Sequence, residues 1–207
     1  MINWNLQKLT DTMKKQSVIF LLVLFLFSGG CSQDYPLHKS VFINDKNDWH
    51  LPEYSEWGYN TFGAYMDRKV FISDESDQPG KIIINKDSFN LLLSGRIETK
   101  SISLKFTIIG YSPADYSGLI SLNNTSVDLT GHTCIVTFND SNSSQRLNVY
   151  EGSLFFKRVQ NLYVDKVLNE SILSGTFNFK TIIKGEPVTF SNGRFDLGIG
   201  TDNFFKF

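Results

Sequence analysis

From Ser101 to Ile108 the chain alternates strictly. Ile102, Leu104, Phe106 and Ile108 are apolar, whereas Ser101, Ser103, Lys105 and Thr107 are polar. A period of two puts one set on each face of an extended strand, so this segment can bury a coherent face only within a β-sheet. A helix would scatter the same four apolar residues around its circumference. The pattern recurs at Leu173, Phe177 and Phe179 against Ser174, Thr176, Asn178 and Lys180, with Gly175 in an inward position. A glycine there either marks a bulge or leaves room for an aromatic ring from across the core.

Further strands are predicted over 62–66, 69–73, 81–85, 88–96, 119–122, 132–138, 146–150, 153–159 and 187–199. Their separators are rich in turn residues, as in Asp77-Gln78-Pro79-Gly80, Asn123-Asn124-Thr125-Ser126 and Asn139-Asp140-Ser141-Asn142-Ser143-Ser144. No window beyond the N-terminal apolar run carries a helical stripe, although Pro113 to Tyr116 suits one turn. Many short strands at this spacing predict a single all-β domain over residues 60–207, an antiparallel β-sandwich with a barrel-like sandwich as the alternative.

The N-terminus is organised differently. Val18 to Phe27 is uninterruptedly apolar, follows Lys14-Lys15 and ends in Ser28-Gly29-Gly30 before Cys31. Spanning a bilayer takes about 20 apolar residues, roughly twice this run. A basic flank, a short apolar core and small residues are the order of a secretory signal. The segment resembles a bacterial lipoprotein signal, whose small residues precede a cysteine that becomes lipidated; the resemblance implies Cys31 as that residue, with Ser28 where leucine is usual. The expected organisation is a signal peptide over 1–30, a lipid-anchored tether over 31–59, and the domain. Met13-Lys14-Lys15 makes a compact signal start, so translation is expected to begin at Met13 rather than Met1. Ser32 rather than aspartate after Cys31 implies, by the same resemblance, the outer membrane, with the periplasmic and surface faces both open.

Three stretches of the domain, Asn60 to Phe71, Ile172 to Phe179 and Val188 to Asp196, resemble a family of uncharacterised all-β lipoproteins of Bacteroidota. The resemblance spans about residues 60–199 and implies an envelope location and a β fold. Its motifs are structural and bring no catalytic residue. That family's first hairpin usually turns on Asn-Gly. Here Asp67-Arg68 stands in its place, and because arginine is disfavoured in a left-handed turn, a longer, bulged turn is an open alternative to the tight one.

Charge and cysteine usage narrow the function classes. The formal net charge is −1, and loss of residues 1–30 removes Lys8, Lys14, Lys15 and Asp11, leaving −3. A mildly acidic chain without a basic patch argues against nucleic acid as a partner. With Cys31 lipidated, Cys134 has no intramolecular disulfide partner, and its strand-like setting predicts an inert, buried thiol. His132 beside it is too little for a metal site, and no cofactor is expected. Gly110-Tyr111-Ser112-Pro113-Ala114 has the outline of a nucleophile elbow, but that device needs a strand-to-helix turn over a parallel sheet, and His38, His50 and His132 have no motif linking them to Ser112. A serine hydrolase is therefore a distant alternative to a non-enzymatic protein. Asp74-Glu75-Ser76-Asp77 lacks the ligand spacing of a calcium loop and reads as a solvated tip.

The aromatic cluster Trp49, Tyr54, Trp57 and Tyr59 is the candidate ligand site. Flat rings stack on sugars, and Asp48, His50 and Glu53 offer hydrogen bonds nearby; but buried aromatics dominate the core energetics of a small β-protein, so the first expectation is that the rings cap an open end of the sandwich, with the ligand site as the alternative. The expected partners are the membrane, through lipid on Cys31, and either a glycan or an envelope protein.

Overall fold

The structure, a computed structural model, describes residues 40–73 and 78–207. Met13, Cys31, His38 and the acidic run at 74–77 lie outside the described residues. The strands are β1 (Thr61–Met66), β2 (Lys69–Ser73), β3 (Gly80–Asn85), β4 (Ser88–Ile97), β5 (Lys100–Ile109), β6 (Thr125–Asp128), β7 (Cys134–Asp140), β8 (Ser143–Leu147), β9 (Glu151–Val164), β10 (Val167–Ile183), β11 (Glu186–Ile199) and β12 (Phe204–Lys206). One 3-10 helix, Tyr116–Leu122, interrupts them.

All strands belong to one open sheet in the order β6-β9-β10-β11-β1-β2-β4-β5-β7-β8, antiparallel except where β12 runs parallel to β3 on the side of β4. The protein is all-β and sandwich-like. The sheet folds over because β4 divides its free edge: Ser88–Leu93 pairs with β3 and Gly95–Ile97 with β2. Gly95 makes this corner, since a β-carbon there would lie 2.1 Å from the Ile72 carbonyl oxygen. At the far side, Tyr150 N–H donates to the Lys180 carbonyl and the Thr181 hydroxyl to the Asn148 carbonyl, so the connection after β8 bridges to β10.

The alternation read from the sequence fills the interior. Ile102, Leu104, Phe106 and Ile108 are buried, and Phe106 meets Phe177 and Phe179 of the facing layer at 5.3 and 6.2 Å between ring centroids. Phe89–Phe156 and Phe138–Phe190 cross the same interior. Phe179 and Phe190, cross-strand partners on β10 and β11, stack at 4.5 Å. Burying each such ring contributes about 2–3 kcal/mol, which makes phenylalanine the principal cohesive residue of this domain.

Two local expectations are corrected and one open alternative is decided. Residues 119–122 are not a strand but the end of the 3-10 helix. The Asp115 carboxylate caps it by accepting from Ser117 N–H at 2.9 Å and Gly118 N–H at 3.3 Å, and the buried Leu119 and Leu122 recur at its period of three. The hairpin at Asp67-Arg68 is a tight two-residue turn rather than a longer one: Met66 pairs with Lys69, and Asp67, not Arg68, takes the positive φ of 55°. The Asp67 carboxylate then accepts from Thr189 N–H at 2.9 Å, tying the turn to β11. Residues 143–144 belong to β8 instead of a loop, because Asp140 Oδ1 accepts from Asn142 N–H and the Ser143 hydroxyl and closes the turn in two residues.

Gly175 combines both sequence expectations. The β9–β10 register shifts between Ser174 and Gly175, and a β-carbon at Gly175 would lie 2.6 Å from Phe195 Cζ. That ring comes from the paired strand β11 rather than from across the core.

Candidate functional site

Residues 40–59 lie against β1, β10 and β11, held by two polar anchors. The first gathers the loop at 44–53. Arg194 of β11 binds the Asp45 carboxylate and donates to the Pro52 carbonyl at 3.3 Å, while the Tyr65 hydroxyl donates to Asp48 Oδ1 at 2.6 Å. Leu51 is fully buried and Pro52 is buried beside it; Gly63 makes room, since a β-carbon there would lie 2.4 Å from Pro52 Cδ. The hydrogen bond to Asp48 is the main reason the Tyr65 phenol is pushed up to about 12. The Asn47 backbone N–H and the Arg194 guanidinium hold the Asp45 carboxyl below its ordinary value.

The second anchor is Asp196, only 2% exposed. Its Oδ2 accepts from the Ser55 hydroxyl, Trp57 N–H at 3.1 Å and Tyr59 N–H at 3.1 Å; Oδ1 accepts from Gly58 N–H at 2.9 Å and the Ser174 hydroxyl at 2.8 Å. A buried carboxylate is costly unless its lone pairs are filled, and these donors fill them. The backbone must curl to aim three successive N–H groups at one carboxylate. Gly58 and Asn60 supply that curl at φ 76° and 54°, and Asn60 Oδ1 accepts from Gly198 N–H at 3.0 Å.

This curl sets the direction of Trp57 and Tyr59. Trp49 and Trp57 are 73% and 70% exposed, so neither indole is a buried cap, whereas Tyr54 and Tyr59 are half-buried. No ring contact among the described residues joins the four. Tyr54 and Trp57 share a groove of about 530 Å³ with Glu56, Lys157, Arg158 and Gln160, and Trp49 stands apart near Asp48 and His50. On its other side Tyr54 borders a second groove of about 560 Å³ with Thr176, Asn178, Asn192 and Arg194.

The first groove is ordered electrostatically. The Lys157 ammonium lies 4.4 Å from the centre of the Tyr54 ring and 3.6 Å from Glu56, which is 3.8 Å from Arg158. Arg158 donates to Gln160 Oε1 at 2.9 Å, and the Tyr54 hydroxyl donates to Glu56 at 3.2 Å. Burial, followed by the charge of Glu56, raises the Tyr54 phenol, which stays protonated as a donor. A flat exposed indole, a half-buried phenol and fixed amide and charged groups can stack on and hydrogen-bond a polyhydroxylated ring.

The remaining candidates are accounted for by their surroundings. Ser112 donates to the Lys86 carbonyl at 2.6 Å. Cys134 is a free, buried thiol pushed up to about 12, chiefly by burial, so it is a poor nucleophile. His132 is exposed, and no group of three metal-ligating side chains occurs among the described residues. No described helix is long and apolar enough to cross a membrane.

Asp196, Arg194, Lys157, Arg158 and Gln160 were not singled out from the sequence. Asp196 alternates with Phe195 and Leu197 and so reads as an ordinary outward residue of a half-buried strand. Apart from Ser174, its partners lie 137 to 141 positions earlier. Compared with protein-family models, curated proteins and solved structures, the chain matches none.

Proposed function

We propose that this is a non-catalytic binding module of the cell envelope, tethered to the outer membrane by acyl chains on Cys31, whose Tyr54–Trp57 groove takes a glycan. The order of basic flank, short apolar core, small residues and cysteine supports the anchor, as does the resemblance to envelope lipoproteins. The observation carrying the binding reading is the exposed Trp57 indole on a backbone pinned by a buried carboxylate. An apolar ring of that size would gain free energy by burial, yet the fold fixes it outward beside Glu56, Arg158 and Gln160.

The test is tryptophan emission during titration with oligosaccharides and envelope glycans. Trp4 precedes Cys31, so the processed protein keeps Trp49 and Trp57. A saturable change that survives Trp49→Phe and disappears in Trp57→Phe is expected. No saturable response to any glycan in the panel refutes the reading.

A further inference from the structure

The strands β9 and β10 outrun their neighbours. The last β10–β11 pair is Ser171 with Ile199, while β6 pairs with β9 only at 153–156. Beyond that point the two strands pair only with each other, Tyr163 opposite Leu168 and Val164 opposite Val167, and turn at Asp165-Lys166 with φ 50° and 68°. A projecting two-stranded ribbon is marginal in water, and one this short normally carries polar residues. Here Leu162, Tyr163, Val164 and Val167 are 38%, 58%, 53% and 69% exposed. Strand alternation and the cross-strand pairing put Leu162, Val164 and Val167 on one face of the ribbon.

The start of the described chain lies near the base of this ribbon. Val41 N–H donates to the Tyr59 carbonyl at 2.8 Å. A β-carbon on the adjoining Gly58 would lie 3.3 Å from Ile172 and 3.6 Å from Glu170, the residue opposite Leu162. Residues 32–40, which join Cys31 to this point, reach at most about 3.3–3.6 Å each, on the order of 30 Å in all. The ribbon beyond Glu170 projects on the order of 10–15 Å at strand rise. A bilayer holding acyl chains at Cys31 is therefore within reach of the ribbon's apolar tip.

We propose that the tip of the β9–β10 hairpin, Leu162 to Leu168, is a second membrane contact that enters the leaflet holding the Cys31 acyl chains. The inference rests on the lipid-anchor reading above. Entry is shallow: Asp165 and Lys166 stay among the headgroups, and the Leu162, Val164 and Val167 face lies against the acyl boundary. Two contacts on one leaflet restrict the domain's orientation, whereas a tether alone leaves it free to tumble.

The experiment uses the mature lipoprotein purified from membranes, its acylation measured by mass spectrometry. Val167→Cys and, as a control at the start of β11 beyond the other end of β10, Glu186→Cys carry an environment-sensitive fluorophore. Cys134 is buried with its thiolate suppressed, so labelling is confined to the introduced thiol. In phospholipid vesicles with brominated acyl chains, the label at 167 is expected to be quenched several-fold more than that at 186. Adding Val164→Asp to the Val167→Cys protein should abolish the difference. Equal, weak quenching at both positions overturns the proposal, as does a spectral change at 167 that depends on protein concentration and not on lipid, which would assign the tip to a second copy. If the mass shows Cys31 unmodified, the anchor reading fails by itself. The hairpin is then judged by flotation of the same protein with vesicles, where roughly tenfold weaker binding of Val164→Asp supports it and unchanged binding overturns it.

Discussion

Replacing Asp196 by asparagine keeps the shape of the second anchor and changes its chemistry. The amide has one oxygen to offer where the carboxylate had two. With that oxygen at the Oδ2 position, Ser55, Trp57 N–H and Tyr59 N–H keep an acceptor. The amide nitrogen then faces the Ser174 hydroxyl, which can rotate to accept, and Gly58 N–H, which cannot. The reverse orientation strands two backbone donors, so the first prevails. One buried unsatisfied N–H costs about 1–3 kcal/mol, and the retained bonds lose charge assistance. Relief from burying a charge acts the other way, and the net expected loss is about 2 kcal/mol. Asp196→Ala removes every acceptor and should cost about 4–5 kcal/mol, the range reserved for broken buried networks. The loss should appear as local opening of 55–59 before global unfolding. Native-state hydrogen exchange reads it directly: in Asp196→Asn the amides of Trp57, Gly58 and Tyr59 should exchange about 30-fold faster, as 2 kcal/mol requires. Unchanged protection at these amides, with denaturant stability within about 0.5 kcal/mol of the parent, would refute the anchor's role.

Two other perturbations test the packing and the electrostatics. Gly175→Ala puts a β-carbon 2.2 Å from the Phe155 carbonyl oxygen and 2.6 Å from Phe195 Cζ, so the β9–β10–β11 backbone must part; a loss of about 2–3 kcal/mol in denaturant unfolding is expected, and a neutral result would contradict the close approach. Asp140 is lowered from 3.8 to about 2 by the Asn142 backbone N–H first, then Ser143 and Lys184. Its contribution to stability is therefore complete above the unfolded carboxyl's pKa and fades as pH falls through about 2. Stability curves of the parent and Asp140→Asn should differ at neutral pH and converge toward pH 2, and curves that stay parallel would remove Asp140 from the acid response.

Alternation at 101–108 and 172–180 specified strands because a period of two admits no other buried arrangement, and the phenylalanines on those faces could only form an interior. Turn chemistry was as legible at Asp140-Ser141-Asn142, although the turn closed in fewer residues than its polar length suggested, since one aspartate satisfied two donors locally. Residues 119–122 misled because a leucine spacing of three suits a 3-10 helix as well as an apolar run suits a strand, and only the Asp115 cap decides between them. For the aromatic cluster, residue type was readable and placement was not: Trp49, Tyr54, Trp57 and Tyr59 are neighbours in the chain, but Tyr54 and Trp57 line one groove while Trp49 stands apart. The sequence by itself determined most of the strands and the apolar interior, both of which depend on neighbours a few residues away. The tertiary structure alone decided which outward aspartate became a buried anchor and which indole faced a groove, because both follow from the meeting of segments nearly 140 residues apart.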